Sequence, residues 1–165
     1  MSDQNGEEQR EDSLPLKVRD VMVREVITVD ENSTVKEAVD VMNEFQIGSL
    51  IVLEKGRAMG IVTERDFLRR VLAGAKDVLN TKVKEIMTTP LVVVEPSMDL
   101  EDAVKLMFQS KIKKLAVVDA NKLVGIVTLT DIARVQPQMI GMLKQLTTKQ
   151  ATPKSIQKVI DYYIV

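Results

Sequence analysis

Residues 60–66 read "GIVTERD", and residues 125–131 read "GIVTLTD". The interval of 65 is not confined to these seven letters. Shifting the chain by 65 lays residues 17–71 over 82–136 without a gap and gives sixteen identities. They include Met22/Met87, Ala38/Ala103, Leu50/Leu115, Gly60/Gly125, Thr63/Thr128 and Asp66/Asp131. Chance periodicity does not hold register over such a length, so the chain carries a duplication, and the fold has to be built from two copies of one unit.

Each copy reads alike. A short amphipathic turn ("VRDVM" or "VKEIM") precedes a β-rich run ("VITV" or "LVVV"). A helical stripe follows: Val35, Ala38, Val39, Met42 and Phe45 in the first copy, Leu100, Ala103, Val104 and Met107 in the second. Thr34 and Asp99 stand ahead of the stripes as expected N-caps. Two strands come next, joined through Lys55-Gly56 or Ala120-Asn121, residues that tolerate the positive φ of a tight hairpin. A last helix starts after the threonine. The expected fold is mixed α+β (α/β), with two tandem β-α-β-β-α units related by a pseudo-twofold axis. A unit of this size buries too little apolar surface to stand comfortably alone, and two units that cover each other leave paired clefts where they meet.

Composition narrows the chemistry. The chain has neither cysteine nor histidine, which excludes thiol nucleophiles, disulfides, Cys/His zinc sites and imidazole acid–base catalysis. Only carboxylates, lysines, hydroxyls and two tyrosines remain for catalysis, and nothing assembles a nucleophile with a base; the expectation is not an enzyme, with no catalytic residues, no metal and no cofactor. Charge is polarised at the ends. Residues 1–13 carry Asp3, Glu7, Glu8, Glu11 and Asp12 against Arg10, whereas 137–165 carry four lysines against Asp161. The stretch between is neutral, which gives no footprint for nucleic acid. With no apolar run of membrane-spanning length and no secretory signal pattern, a cytoplasmic location is expected. Residues 1–13 are expected to be disordered, and 137–165 to form two helices, the second with a stripe of Ile156, Val159, Ile160, Tyr163 and Ile164. That stripe has three candidate resting places: the chain's own core, a second subunit, or a partner.

The repeated Gly-x-x-Thr-x-x-Asp has two readings. As a folding device, Thr63 and Thr128 cap helices while Asp66 and Asp131 reach back to free amides, worth about 1 kcal/mol per cap. As a site, a helix start with a hydroxyl, free amides and a carboxylate suits a nucleoside phosphate: amides for phosphate, carboxylate for the ribose diol.

These residues resemble the cystathionine β-synthase (CBS) domain family in its tandem form, the Bateman module. The likeness spans 17–136 and rests on both Gly-x-x-Thr-x-x-Asp motifs, each with its lead-in and its helix-strand-strand pattern. The resemblance implies CBS repeats over 14–76 and 77–136, and a regulatory module that binds AMP, ADP, ATP, or S-adenosylmethionine or NAD-type ligands between them. It often implies a homodimer. Carried over, Asp66 and Asp131 take the ribose, with Thr63, Thr128 and Thr130 as hydroxyl partners. Ile27 and Val92 line the base, and Ile47-Gly48 and Ile112-Lys113 close the pocket. Arg65 and Ser49 in the first copy and Lys113 and Lys114 in the second stand where phosphate belongs, so two unequal sites are expected. The competing expectation is a structural adaptor with degenerate clefts, docking a partner enzyme through its C-terminal helices.

Overall fold

The computed structural model describes residues 15–139, with Gly141 and Gln145. The expected disorder of 1–13 and the stripe from Ile156 to Ile164 lie outside the described residues. So does nearly all of the expected helical extension.

The first unit runs α1 (Val18–Val21), β1 (Thr28–Asp30), α2 (Val35–Phe45), β2 (Ser49–Glu54), β3 (Arg57–Thr63) and α3 (Glu64–Asp66), which continues as a π-helix over Phe67–Leu72. The second begins with a 3₁₀ turn (Val83–Glu85), then β4 (Val93–Val94), α4 (Leu100–Gln109), β5 (Lys114–Asp119), β6 (Lys122–Thr128) and α5 (Leu129–Val135). Each unit forms a three-stranded sheet with the middle strand parallel to the first and antiparallel to the third. Even the register shifts correspond, at Val52/Leu53 and Val117/Val118. Both hairpins turn through positive φ: Lys55 (50°) and Gly56 (79°), Ala120 (46°) and Asn121 (63°). Among the described residues no helix is long and apolar enough to cross a membrane.

The caps obey the sequence only partly. Thr34 and Glu37 form a reciprocal box: Glu37 N donates to Thr34 Oγ1 at 3.1 Å, and Thr34 N to Glu37 Oε2 at 2.7 Å. Asp99 holds the N-cap position of α4, yet its carboxylate accepts from Lys17 Nζ at 2.9 Å instead of from a helix amide. The cationic competitor comes from the other repeat, which local capping rules do not see.

The two cores exchange their lead-ins. Val18 and Met22, at the start of the first unit, are buried with Leu100, Val104, Leu115 and Val127 of the second. Val83 and Ile86 are buried with Val35, Met42, Leu50 and Val62 of the first. The backbone follows the same exchange: Val18 N donates to Met98 O at 2.9 Å, and its counterpart Val83 N to Ser33 O at 2.9 Å. Burying each of Val18, Val83 and Ile86 stabilises the assembly by about 1.5–3 kcal/mol. Neither core is complete without the other repeat.

The exchange also explains the motif glycines. Each lead-in crosses the last strand of the other unit, by bridges Val23↔Ile126 and Ile61↔Thr88. A Cβ on Gly60 would lie 2.9 Å from both Met87 Sδ and Thr88 O, and one on Gly125 2.6 Å from Met22 Sδ. Only a residue without a side chain lets the two backbones approach this closely.

Candidate functional site

The two lead-ins bring the end of each third strand against the other repeat, and there a cleft of about 670 Å³ opens. Its volume lies within the roughly 300–1,000 Å³ usual for small-molecule sites. One wall is the β3–α3 junction and the π-helix, contributing Thr63, Glu64, Arg65, Asp66, Arg69 and Arg70. The other is the path into β4 and the start of β5, with Thr88, Val92, Ile112, Lys113 and Lys114. Gly48 closes one end, and Lys111 adds a cation at the lip.

Of the residues expected to bind, Gly48, Thr63, Arg65, Asp66, Val92, Ile112, Lys113 and Lys114 share this one cleft. Ile27 and Ile47 pack against the first core, and Ser49 is buried beside the cleft as a partner of Lys114. Thr128, Thr130 and Asp131 do not line it; they are the repeat counterparts of Thr63, Arg65 and Asp66. Arg69, Arg70, Thr88 and Lys111 belong to the lining but were not expected. Arg70 follows Asp66 at helical spacing, the one local signal that pointed to it.

Both readings of the motif meet at Asp66. Its Oδ2 accepts from Thr63 N and from Thr63 Oγ1, each at 2.9 Å, so the carboxylate ties off the helix start. Its Oδ1 accepts from Thr88 Oγ1 at 3.3 Å and lies 3.6 Å from Arg70 Nη1. The buried carboxylate therefore caps a helix and faces the cleft together. Asp131 keeps the cap: its Oδ2 accepts from Thr128 Oγ1 at 2.6 Å and from Thr128 N at 3.1 Å. The counterparts of Arg70 and Thr88 are Val135 and Val23, so these cross-repeat contacts have no equivalent at Asp131.

Charge separates the two copies further. The cleft wall carries Arg65, Arg69, Arg70, Lys111, Lys113 and Lys114 against Glu64 and Asp66, an excess of four cations. One repeat away, Arg65, Arg70, Lys111, Lys113 and Lys114 become Thr130, Val135, Gln46, Gly48 and Ser49, while Arg69 stays arginine as Arg134. The cationic field is thus built at one of two pseudo-equivalent places. Lys114 is half-buried, its Nζ donating to Ser49 Oγ at 2.8 Å. Burial pushes its pKa down, against the opposing pull of Glu64 and Asp131. Glu64 folds over Gly48, where a Cβ would meet its Oε2 at 3.1 Å. A larger hollow of about 760 Å³ is lined by the end of β4, the segment leading into α4 and the β5–β6 hairpin, but its lining holds Glu95, Asp99 and Asp102 and no cation, which does not suit an anion.

The comparisons agree with this architecture. The family model described as CBS domain matches residues 18–73 and again 83–137. A CBS domain-containing protein from Bacillus subtilis, YhcV, is 44% identical over 116 residues, covering 70% of this chain and 82% of its own. A conserved CBS domain protein of unknown function from Thermoplasma acidophilum, TA0289, superposes with a TM-score of 0.68 at 31% identity, over 73% of this chain and 69% of that one. The CBS domain pair of protein MJ0100, solved in complex with 5′-methylthioadenosine and S-adenosyl-L-methionine, has a TM-score of 0.68 at 27% identity, over 76% of this chain and 98% of that one.

Proposed function

The chain belongs to the CBS domain family, and on that premise we propose that it is a regulatory module binding one phosphate-bearing adenosine ligand in the cleft at Asp66. The observation that carries this reading is the meeting of Thr63 and Asp66 from one repeat with Val92, Ile112, Lys113 and Lys114 from the other. The ribose diol donates to the Asp66 carboxylate. The base lies against Val92 and Ile112, and the phosphates draw on the surplus of cations. A neighbour solved with two adenosine compounds supports the class of ligand. The cationic excess favours AMP, ADP or ATP over the uncharged nucleoside, and ATP most. The module senses its ligand rather than transforming it.

A thermal-shift panel of adenosine, AMP, ADP, ATP, S-adenosylmethionine and NAD tests this reading. At about 100 times its Kd, the true ligand adds roughly 2.7 kcal/mol of stability. The expected order is ATP above AMP above adenosine, compressed by salt. Equal shifts from adenosine and ATP would remove the role given to the cations.

The same reading includes a homodimer. Phe45, Leu68, Leu72 and Leu79 are exposed outside the cleft, between 50% and 74% of their surface. Sedimentation should give twice the chain mass.

A further inference from the structure

We propose that Arg70 is a ligand-gated clamp, holding the second repeat's lead-in on the first repeat when the cleft is empty and releasing it when an adenosine ligand binds. Its guanidinium serves two masters. Nη1 donates to Ile86 O and to Met87 O, both at 2.7 Å, and lies 3.6 Å from Asp66 Oδ1. Ile86 is fully buried in the first core, and the Met87–Thr88 peptide runs across Gly60. Arg70 therefore pins, from the cleft side, the segment whose crossing completes the first unit. Thr88 Oγ1 makes the parallel link, donating to the same Asp66 oxygen at 3.3 Å.

On the reading of the cleft as an adenosine-ligand site, a bound nucleotide competes for both links. The ribose hydroxyls donate to Asp66 Oδ1, taking the place held by Thr88. The phosphates offer Arg70 a charged acceptor stronger than two neutral carbonyls. Occupancy is converted into freedom of residues 83–90, the part of the second repeat inserted in the first. The other copy lacks the device, since Val135 and Val23 stand in place of Arg70 and Thr88. Only the Asp66 cleft is wired to the exchange of lead-ins. Arg70 acts here as a positioning residue, working through the backbone it holds.

Hydrogen exchange on the intact chain, with and without saturating ATP, reads the clamp directly, and calorimetry on the same sample reports binding. ATP should speed exchange in the peptide covering 83–90 by about tenfold, roughly the factor carried by one charge-assisted hydrogen bond. Arg70→Met should exchange that fast without nucleotide and show a smaller further change with it, from the Thr88 link alone. Should that variant fail to fold, Arg70→Lys serves, with a resting acceleration of about threefold, since the shorter lysine does not carry its ammonium to where Nη1 stands. Binding heat with an unmoved or slowed 83–90 peptide overturns the clamp alone. An ATP effect in Arg70→Met equal to that of the unsubstituted chain does the same. No binding heat with ATP, ADP or AMP overturns the reading of the cleft and the clamp with it.

Discussion

Lys114 Nζ donates to Ser49 Oγ at 2.8 Å, and the two residues occupy the same position in the two repeats. The pseudo-twofold axis thus passes between a lysine and a serine. One side of the axis received a cation, half-buried and with a pKa pushed down by that burial. The protonated amine is the form that attracts phosphate. Affinity owed to Lys114 is therefore full below its lowered pKa and lost as pH rises through it, ahead of an ordinary lysine. ATP binding should weaken in the alkaline range and take up protons there. Lys114→Met should bind ATP about tenfold more weakly at neutral pH and lose this alkaline dependence. Titrations at several pH values check both.

The exchanged lead-ins make a sharper claim about folding. A fragment of residues 14–76 lacks Val83 and Ile86, whereas residues 27–90 contain every buried member of the first core. Circular dichroism should show the longer-shifted fragment, 27–90, as the more structured of the two. The opposite ranking would mean that the exchange contributes little to stability.

Gly60 and Gly125 should resist substitution for a packing reason rather than a conformational one. Gly60→Ala and Gly125→Ala should each destabilise the chain by about 1–3 kcal/mol in denaturant melts. Gly56, with φ at 79° and nothing within 4 Å of an added Cβ, should lose only about 1 kcal/mol on change to alanine.

Much of the fold was legible because the signals were local. The stripes of α2 and α4, the Lys55-Gly56 and Ala120-Asn121 turns and the Thr34 box depend on residues a few positions apart, though Phe45, expected in the α2 stripe, is half exposed at the helix end. The exchange of lead-ins was not, because a repeat of 65 looks the same whether Val83 packs in its own unit or the other. Asp99 misled for the same reason: its partner, Lys17, lies 82 positions away. The candidate site was half readable. The motif marked Thr63 and Asp66, and the basic pair marked Lys113 and Lys114. That these share one cleft, with Arg70 and Thr88 on the carboxylate, follows from the crossing of the lead-ins. The π-helix after Asp66 had no sequence signal, since its counterpart α5 is an ordinary α-helix.

The unequal charge of the two copies assigns different roles to two aspartates that look alike in sequence. Asp66→Asn should weaken ATP binding by at least about tenfold, and Asp131→Asn should leave it within about twofold. Both should lose stability, because both carboxylates tie off a helix, and Asp66→Asn should lose more, because Asp66 also meets Thr88 and Arg70.

The most direct measurement is a calorimetric titration of ATP into the intact chain and into these two variants. About one site per chain is expected, lost in Asp66→Asn and retained in Asp131→Asn. Two equal sites, or a single site that disappears with Asp131→Asn instead, would contradict the assignment of the nucleotide to the cationic cleft.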